Sequence, residues 1–359
     1  MTSIPQEILH IIIGYATADQ PRYFSSISLV SHIFHQIVLP YKFRSLTISF
    51  NIHQSIAVIY PKFCEALNAE DAHALSLAPL VRELHLLHWL YSKYLVELFE
   101  KIIIGVLSFR NLTKLSMVGC STSPAIMERL GQLQSLRALS CREHEFYDGS
   151  MVSHGALNFS NLQSLHTLEY IDNYNRSRSQ QHSGLASIPM TTLRILKSNN
   201  WELTKAFLTT DPPVQLEKLQ LDHDFREDYL LLWNYLARVT SLTHLSLPNL
   251  WFQLPHPSLI FPLPELQYLH VNLVSAPLFA DQSMKEMDIS TRMSFFHPTP
   301  IMNLVRQHWQ GIVFPHVRYL KMDRFYDKDS ILFELREILP NLKKVDRRTS
   351  QKTSSYVGF

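Results

Sequence analysis

The chain has 359 residues, of which 46% are hydrophobic and 18% charged, enough to form the core of one large or two ordinary domains. That composition excludes a disordered, fibrous or small disulfide-stapled protein. Lysine and arginine (33) nearly balance aspartate and glutamate (31), which argues against nucleic acid and anionic membranes as targets. Only nine glycines occur, which argues against a phosphate-binding loop.

Residues 1–42 predict a small helical domain without any repeat. Ser3 begins a capping box, and the aliphatic residues of segment 8–13 follow it. A second helix is predicted to be capped by Ser28 and to end near Pro40. Because about 40 residues is close to the lower limit for independent folding, we expect a partner or the rest of the chain to cover this domain.

Residues 43–348 contain a repeat of the form L-x-x-L-x-L, whose starts are about 26 residues apart on average. The repeats begin at Val81, Leu112, Leu136, Leu165, Leu193, Leu216, Leu242, Leu266, Val317 and Leu342. The interval from Leu266 to Val317 is about twice the others and leaves room for one hidden repeat. Residues 43–48 fit an extra leading strand, and Leu162 is a second candidate start for the fourth repeat.

Each repeat alternates apolar and exposed positions, which is typical of a short strand with one buried face. Helical apolar stripes lie between the repeats, most clearly over residues 91–108. This alternation predicts an α/β fold in which a curved parallel sheet is covered by helices and leaves a concave strand face free for ligands. Residues 172–187 and 272–298 fit no repeat, and residues 349–359 form a C-terminal tail.

The repeats resemble the leucine-rich-repeat family, which implies an irregular leucine-rich-repeat solenoid, or horseshoe, over residues 43–348. The segment Ile4-Pro5-x-Glu7-Ile8-Leu9, followed by Leu29-Val30-Ser31-x-x-Phe34, resembles an F-box, particularly those of fungal F-box proteins. An F-box followed directly by leucine-rich repeats is a known family architecture. In that family the box binds the Skp-type adaptor of a cullin-RING ubiquitin ligase, and the repeats hold a client protein.

The F-box resemblance implies a set of adaptor-binding residues: Ile4, Pro5, Ile8, Leu9, Ile12, Leu29 and Val30. An exposed aliphatic patch on so small a helical domain is also typical of a protein–protein surface. The alternative is that these residues pack against the first repeat, because periodicity does not distinguish between two apolar partners.

Tyrosines and histidines collect at the exposed strand positions in the last third of the chain. Such side chains combine a large contact area with a polar tip, as binding hot spots do. We therefore predict that the client contacts the concave face at His244, Tyr268, His270 and Tyr319.

The sequence contains no catalytic, nucleotide-binding or zinc-binding motif. His85 and His88 are the nearest metal candidates, but one lies in a predicted strand and the other just beyond it, which does not suit shared ligation. We therefore predict no enzymatic activity, no cofactor and no metal. Three cysteines without a C-x-x-C pair predict reduced thiols in the cytoplasm or nucleus, and no apolar stretch reaches the roughly 20 residues of a membrane span.

Two functions follow from the sequence. The first is the substrate-recognition subunit of an SCF-type cullin-RING ubiquitin ligase, with a Skp-type adaptor and an unidentified client protein as partners. The alternative is a leucine-rich-repeat interaction scaffold unconnected with ubiquitination, in which the N-terminal helices cap the solenoid.

Overall fold

The chain forms two compact units, Met1–Pro189 and Met190–Phe359. This division falls inside the predicted repeat domain. It does not test the predicted domain boundary between residues 42 and 43, which stays a prediction. The computed structural model describes residues 8–9, 11–13, 23–49, 59–89, 101–122, 128–146, 162–172, 190–223, 225, 229–250, 263–280, 283–290, 309–322 and 335–347.

The first unit combines helices with a parallel sheet. Its helices are α1 (Tyr23–Ser28), α2 (His32–Phe43), α3 (Ile59–Asn68) and α4 (Ala72–Leu77), and residues 8–9, 11–13, 101–106 and 128–130 are also helical. Its strands are β1 (Ser45–Ser49), β2 (Glu83–Trp89), β3 (Lys114–Thr122), β4 (Ala138–Phe146) and β5 (Thr167–Asp172). Each strand pairs in parallel with the next one in the chain.

The cap of α2 differs from the prediction. Its N-cap is Ser31, whose hydroxyl accepts a hydrogen bond of 3.2 Å from the backbone N–H of Phe34. The prediction that Ser28 caps this helix is wrong, since Ser28 is the last residue of α1. Leu29 and Val30 therefore lie in the turn between two helices.

The second unit is built in the same way. Its helices are α5 (Trp201–Thr209) and α6 (Tyr229–Leu236). Its strands are β6 (Ile195–Ser198), β7 (Lys218–Leu221), β8 (His244–Leu247), β9 (Tyr268–Asn272), β10 (Glu286–Ser290), β11 (Tyr319–Met322) and β12 (Lys344–Arg347). These strands also pair in parallel in chain order. Each unit is thus an α/β solenoid that adds one strand per repeat, as leucine-rich repeats do.

The repeat analysis is confirmed at all ten predicted starts, because in each case a strand begins at the third residue of the repeat. The extra leading strand is confirmed as β1. The hidden repeat is confirmed as β10, so the interpretation of residues 272–298 as an insertion outside the repeats is wrong for residues 286–290. For the fourth repeat, the start of β5 at Thr167 fits Leu165 rather than Leu162.

Buried leucines in register form the core behind each sheet. In the first unit Leu84 pairs with Leu46 on one side and Leu115 on the other, and all three side chains are at most 3% exposed. In the second unit Leu245 and Leu269 occupy the same place. Burying one leucine side chain contributes about 1.5–3 kcal/mol, and stacking the repeats is what makes that burial complete.

Backbone hydrogen bonds fasten each repeat to the next just before the strand begins. The carbonyl of Arg82 accepts bonds from the N–H groups of Thr113 (2.8 Å) and Lys114 (3.1 Å). The same double contact recurs in the second unit, for example at the carbonyls of Arg194, Glu217 and Thr243. It fixes the register of neighbouring strands, and the register decides which side chains share a face. Within the described part of the chain, no helix combines the length and apolar character needed to cross a bilayer.

Candidate functional site

Two rows of side chains cross the outward face of the second unit's sheet. They face the same way because in-register residues of parallel strands point to the same side. The first row consists of Ile195, Lys218, His244, Tyr268, Glu286, Tyr319 and Lys344. The second consists of Lys197, Gln220, Ser246, His270, Asp288, Lys321 and Asp346. Three of the four predicted client contacts lie in the first row and one in the second.

His244 and Tyr268 form a stacked aromatic pair on neighbouring strands. Their ring centroids are 5.7 Å apart and their planes differ by 30°. His244 Nδ1 lies 2.8 Å from the hydroxyl of Thr243, and the hydroxyl of Tyr268 donates a hydrogen bond of 3.2 Å to Asp288 Oδ2. Both rings are half-buried and held by polar contacts, so the pair presents a preformed surface to a ligand.

His270 is not the exposed position that was expected. It is only 7% exposed, and its Nδ1 lies 2.9 Å from the hydroxyl of Ser246, which is buried as well. The next residue in register, Asp288, is also buried. The structure therefore places His270 beside Tyr268 and His244 but as a supporting residue, with little surface left for a client.

Tyr319 is 45% exposed but is separated from the aromatic pair. Glu286 lies between Tyr268 and Tyr319 in the first row. Two strand spacings of about 4.8 Å put the backbones of the two tyrosines roughly 10 Å apart. The structure thus brings together His244 and Tyr268, and it leaves Tyr319 as a second contact point on the same face.

A pocket of about 110 Å³ opens beside the aromatic pair, and we call it the β6–β9 pocket. It is lined by Leu196, Lys197, Lys218, Leu219, Gln220, His244, Leu245, Ser246 and Tyr268. Lys197 and Lys218 were not among the predicted client contacts. A signal was present nonetheless, since lysine stands at outward positions in two successive repeats, LRILKS and LEKLQL.

The charges around this pocket act on His244. Partial burial lowers the pKa of His244 below its ordinary 6.5, and the positive charge of Lys218 lowers it further. Glu286 and Glu217 act in the opposite direction but do not reverse the shift. His244 is therefore neutral at neutral pH, and the positive charge of the pocket comes from Lys197 and Lys218.

A second candidate surface lies on the N-terminal helices of the first unit. Six aliphatic side chains there are exposed: Ile8 (44%), Ile11 (54%), Ile12 (51%), Leu29 (86%), Val30 (69%) and Ile33 (57%). We call these six residues the aliphatic patch. The helices also have a core of their own, made of Ile13, Ile37 and Val38 with Leu9, Ile27, Phe34 and Tyr41 packed against it.

The predicted adaptor-binding residues divide between these two sets. Ile8, Ile12, Leu29 and Val30 belong to the aliphatic patch, whereas Leu9 packs against the small core. Ile4 and Pro5 lie outside the described residues. Ile11 and Ile33 were not predicted for this surface, although Ile11 directly precedes Ile12 and Ile33 lies three residues after Val30.

The outward face of the first unit carries ion pairs. Glu83 Oε2 lies 3.5 Å from Lys114 Nζ, and Arg142 bonds Glu169 at 2.9 Å. His85, one of the two candidate zinc ligands, has a lowered pKa because of burial and the charge of Lys114. Among the residues that the structure describes, no group of three or more histidine, cysteine, aspartate or glutamate side chains is placed to hold a metal ion.

Comparisons with known proteins find similarity among solved structures. No protein-family model and no curated protein matches the chain. Among solved structures, yeast Rad7 in its complex with Elc1 is 14% identical at a TM-score of 0.34, covering 97% of this chain and 94% of Rad7's. An internalin of Listeria monocytogenes is 13% identical at 0.36, covering 92% and 94% of the two chains. Mouse RP105, in its complex with MD-1, is 13% identical at 0.37, and the match covers 75% of this chain and 43% of the RP105 chain.

Proposed function

We propose that this chain is the substrate-recognition subunit of an SCF-type cullin-RING ubiquitin ligase. In this proposal the N-terminal helices bind a Skp-type adaptor, and the outward face of the repeats binds a client protein. The chain itself carries out no chemistry. Free, buried cysteines suit a reducing compartment such as the cytoplasm or nucleus.

The aliphatic patch is the observation that supports this proposal best. Burial of apolar surface contributes about 25 cal/mol per Å², so six exposed aliphatic side chains on the N-terminal helices and the turn between α1 and α2 represent a large unsatisfied driving force. Exposed apolar surface is typical of protein-interaction sites in soluble proteins. Because the helices already have a core of Ile13, Ile37 and Val38, their folding does not depend on covering the aliphatic patch.

Exposure also bears on the alternative in which these residues pack against the first repeat. Leu29 is 86% and Val30 69% exposed, so neither side chain is covered by the residues that the structure describes. Both lie in the turn between α1 and α2, which presents them to a partner. Leu29 and Val30 are two of the seven residues that the F-box resemblance implies for adaptor binding.

A second candidate function, a scaffold whose helices cap the solenoid, is favoured by the junction between α2 and the sheet. The carbonyl of Arg44, directly after α2, accepts hydrogen bonds of 2.9 Å from the N–H groups of both Arg82 and Glu83. The helices therefore continue into the first repeat, as a cap would. Capping uses the junction after α2, whereas adaptor binding uses the aliphatic patch. A test of adaptor binding therefore distinguishes between the two functions.

The mechanism in the first proposal is positioning. A client held on the repeats and an adaptor held on the helices become parts of one assembly, which raises the effective concentration of the client's lysines near a ubiquitin-charged enzyme. This gain requires no catalytic side chain in the chain itself. It requires only that the N-terminal helices bind the adaptor while the repeats bind the client.

Co-purification with a recombinant Skp-type adaptor tests the proposal. We expect the wild-type chain to retain the adaptor and the double variant Ile8→Asp/Leu29→Asp to lose it, because two carboxylates would be buried in an apolar interface. Val214→Asp is the matched control, since Val214 is 88% exposed but belongs to the second unit. Failure of the wild-type chain to retain any adaptor would overturn the ligase proposal and leave the scaffold. Retention by the double variant would show that the aliphatic patch is not the adaptor site.

A further inference from the structure

We propose that the β6–β9 pocket binds the carboxylate side chain of an acidic segment of a protein client. This inference rests on the client-binding part of the proposed function and adds to it the chemistry of the client.

Geometry places two lysines at one edge of the pocket. Lys218 is in register with His244, and Lys197 is in register with Gln220, so all four side chains stand on the same face of three neighbouring strands. Neighbouring strands are about 4.8 Å apart, which lets two long lysine side chains reach one bound group. A volume of about 110 Å³ accommodates a carboxylate with its adjoining methylene, since one water molecule needs only about 10–15 Å³ by the same measure.

The charge pattern favours an anion in this pocket. Lysine offers only hydrogen-bond donors, and the amide of Gln220 adds further donors beside it. Three acids lie at neighbouring positions: Glu217 pairs with Arg194 at 3.5 Å, Asp288 accepts the hydrogen bond from Tyr268, and the charge of Glu286 acts on His244. Neutral His244, stacked on Tyr268, supplies an apolar wall for the methylene groups of the ligand.

The same surroundings favour a carboxylate over a phosphate. Glu286 follows Tyr268 in the row and repels a doubly charged group more strongly than a singly charged one. We therefore assign the pocket to aspartate or glutamate of an extended client segment.

Fluorescence polarisation with a fluorescein-labelled hexaglutamate peptide tests this assignment on the full chain. We expect saturable binding that weakens with added salt and that falls by at least about tenfold in Lys218→Met and in the double variant Lys197→Met/Lys218→Met. Methionine keeps much of the apolar stem of lysine, so packing is little changed. Lys321→Met is the matched control, because Lys321 lies on the same face but outside the pocket and should leave the affinity unchanged.

Two outcomes would overturn the assignment. Equal affinity of the wild type and the Lys218→Met variant, both with unchanged thermal unfolding, would show that the peptide binds elsewhere. Binding of a hexaphosphoserine peptide at least about tenfold tighter than hexaglutamate, with the same lysine dependence, would assign the pocket to phosphate. Since no adaptor is present in these measurements, failure of the ligase proposal would not affect them.

Discussion

Ser246 and His270 are joined across neighbouring strands by a hydrogen bond of 2.9 Å between the serine hydroxyl and Nδ1 of the imidazole. Both residues are buried, at 9% and 7% exposure. His244 and Tyr268, which lie two residues earlier on the same two strands, form the aromatic pair that borders the β6–β9 pocket. This bond therefore holds Ser246, a residue that lines that pocket, against the neighbouring strand.

Ser246→Ala is expected to lower the free energy of unfolding by about 1–3 kcal/mol, because it removes a partner of a buried ring nitrogen. Urea denaturation measures this change. Ser45→Ala is the control, since Ser45 occupies an exposed position of β1 and should change stability by less than about 0.5 kcal/mol. If the two variants unfolded at the same urea concentration, the hydrogen bond would carry no stability.

The faces of the strands were predictable from the sequence, whereas the burial of individual residues was not. Period-two alternation places His270 on the outward face, and the register confirms that placement. Whether an outward residue is exposed depends on what lies around it, and Ser246 and Asp288 beside it are buried too. Alternation within one strand contains no information about such neighbours.

The hidden repeat is difficult to recognise in the sequence because its buried positions are not leucine. β10 belongs to the sequence Met284-Lys285-Glu286-Met287-Asp288-Ile289, which has the repeat's spacing with methionine and isoleucine in place of leucine. Met284, Met287 and Ile289 are all buried. A search for similar apolar volume at those spacings, instead of leucine itself, would have located this strand.

The N-terminal helices should respond in opposite ways to changes in their core and in their patch. Ile37 is buried, so Ile37→Ala is expected to cost about 2–5 kcal/mol and to lower the helical signal in circular dichroism at elevated temperature. Leu29→Asp, at a side chain 86% exposed, should change stability by less than about 0.5 kcal/mol. Destabilisation of similar size in both variants would mean that Leu29 is part of the core.

The three cysteines are expected to be unreactive in the folded protein. Cys64, Cys120 and Cys141 are buried, and none of the three is in a disulfide. For Cys64, burial and then the charge of Glu65 raise the pKa of the thiol to about 12, so almost no thiolate exists at neutral pH. A thiol-specific chromogenic reagent should therefore react slowly with the native chain and rapidly with all three thiols in denaturant. Rapid reaction of one thiol in native buffer would contradict the burial of that residue.

Gly105 allows two helical segments of the first unit to approach closely. A Cβ atom placed on it would lie 3.0 Å from the carbonyl oxygen and 3.1 Å from the Cβ of Cys64 in α3. Gly105→Ala is therefore expected to destabilise the protein by about 1–3 kcal/mol despite alanine's higher helix propensity. Lys101→Ala, at an exposed position of the same helical segment, is the control. Thermal unfolding compares the two variants, and a rise in melting temperature for Gly105→Ala would contradict the close approach.

The pH dependence of stability should reveal the influence of Lys218 on His244. The folded pKa of His244 lies below its ordinary 6.5, first because of burial and then because of Lys218. As the pH falls through 6.5, the unfolded chain takes up the proton before the folded chain does, so the free energy of unfolding decreases until the pH reaches the folded pKa. Above pH 6.5 both states are neutral at this residue, and its contribution does not change with pH.

Urea denaturation between about pH 8 and pH 5 measures this effect. We expect His244→Gln to lose less stability over the acidic part of that range than the wild type does, since glutamine takes up no proton. Lys218→Met should show a smaller but similar gain, because removing the positive charge brings the folded pKa of His244 closer to its unfolded value. The imidazole proton resonances of His244 provide an independent measure of the same pKa, which should rise in Lys218→Met. An identical pKa of His244 in the wild type and in Lys218→Met would show that the charge of Lys218 does not act on this imidazole.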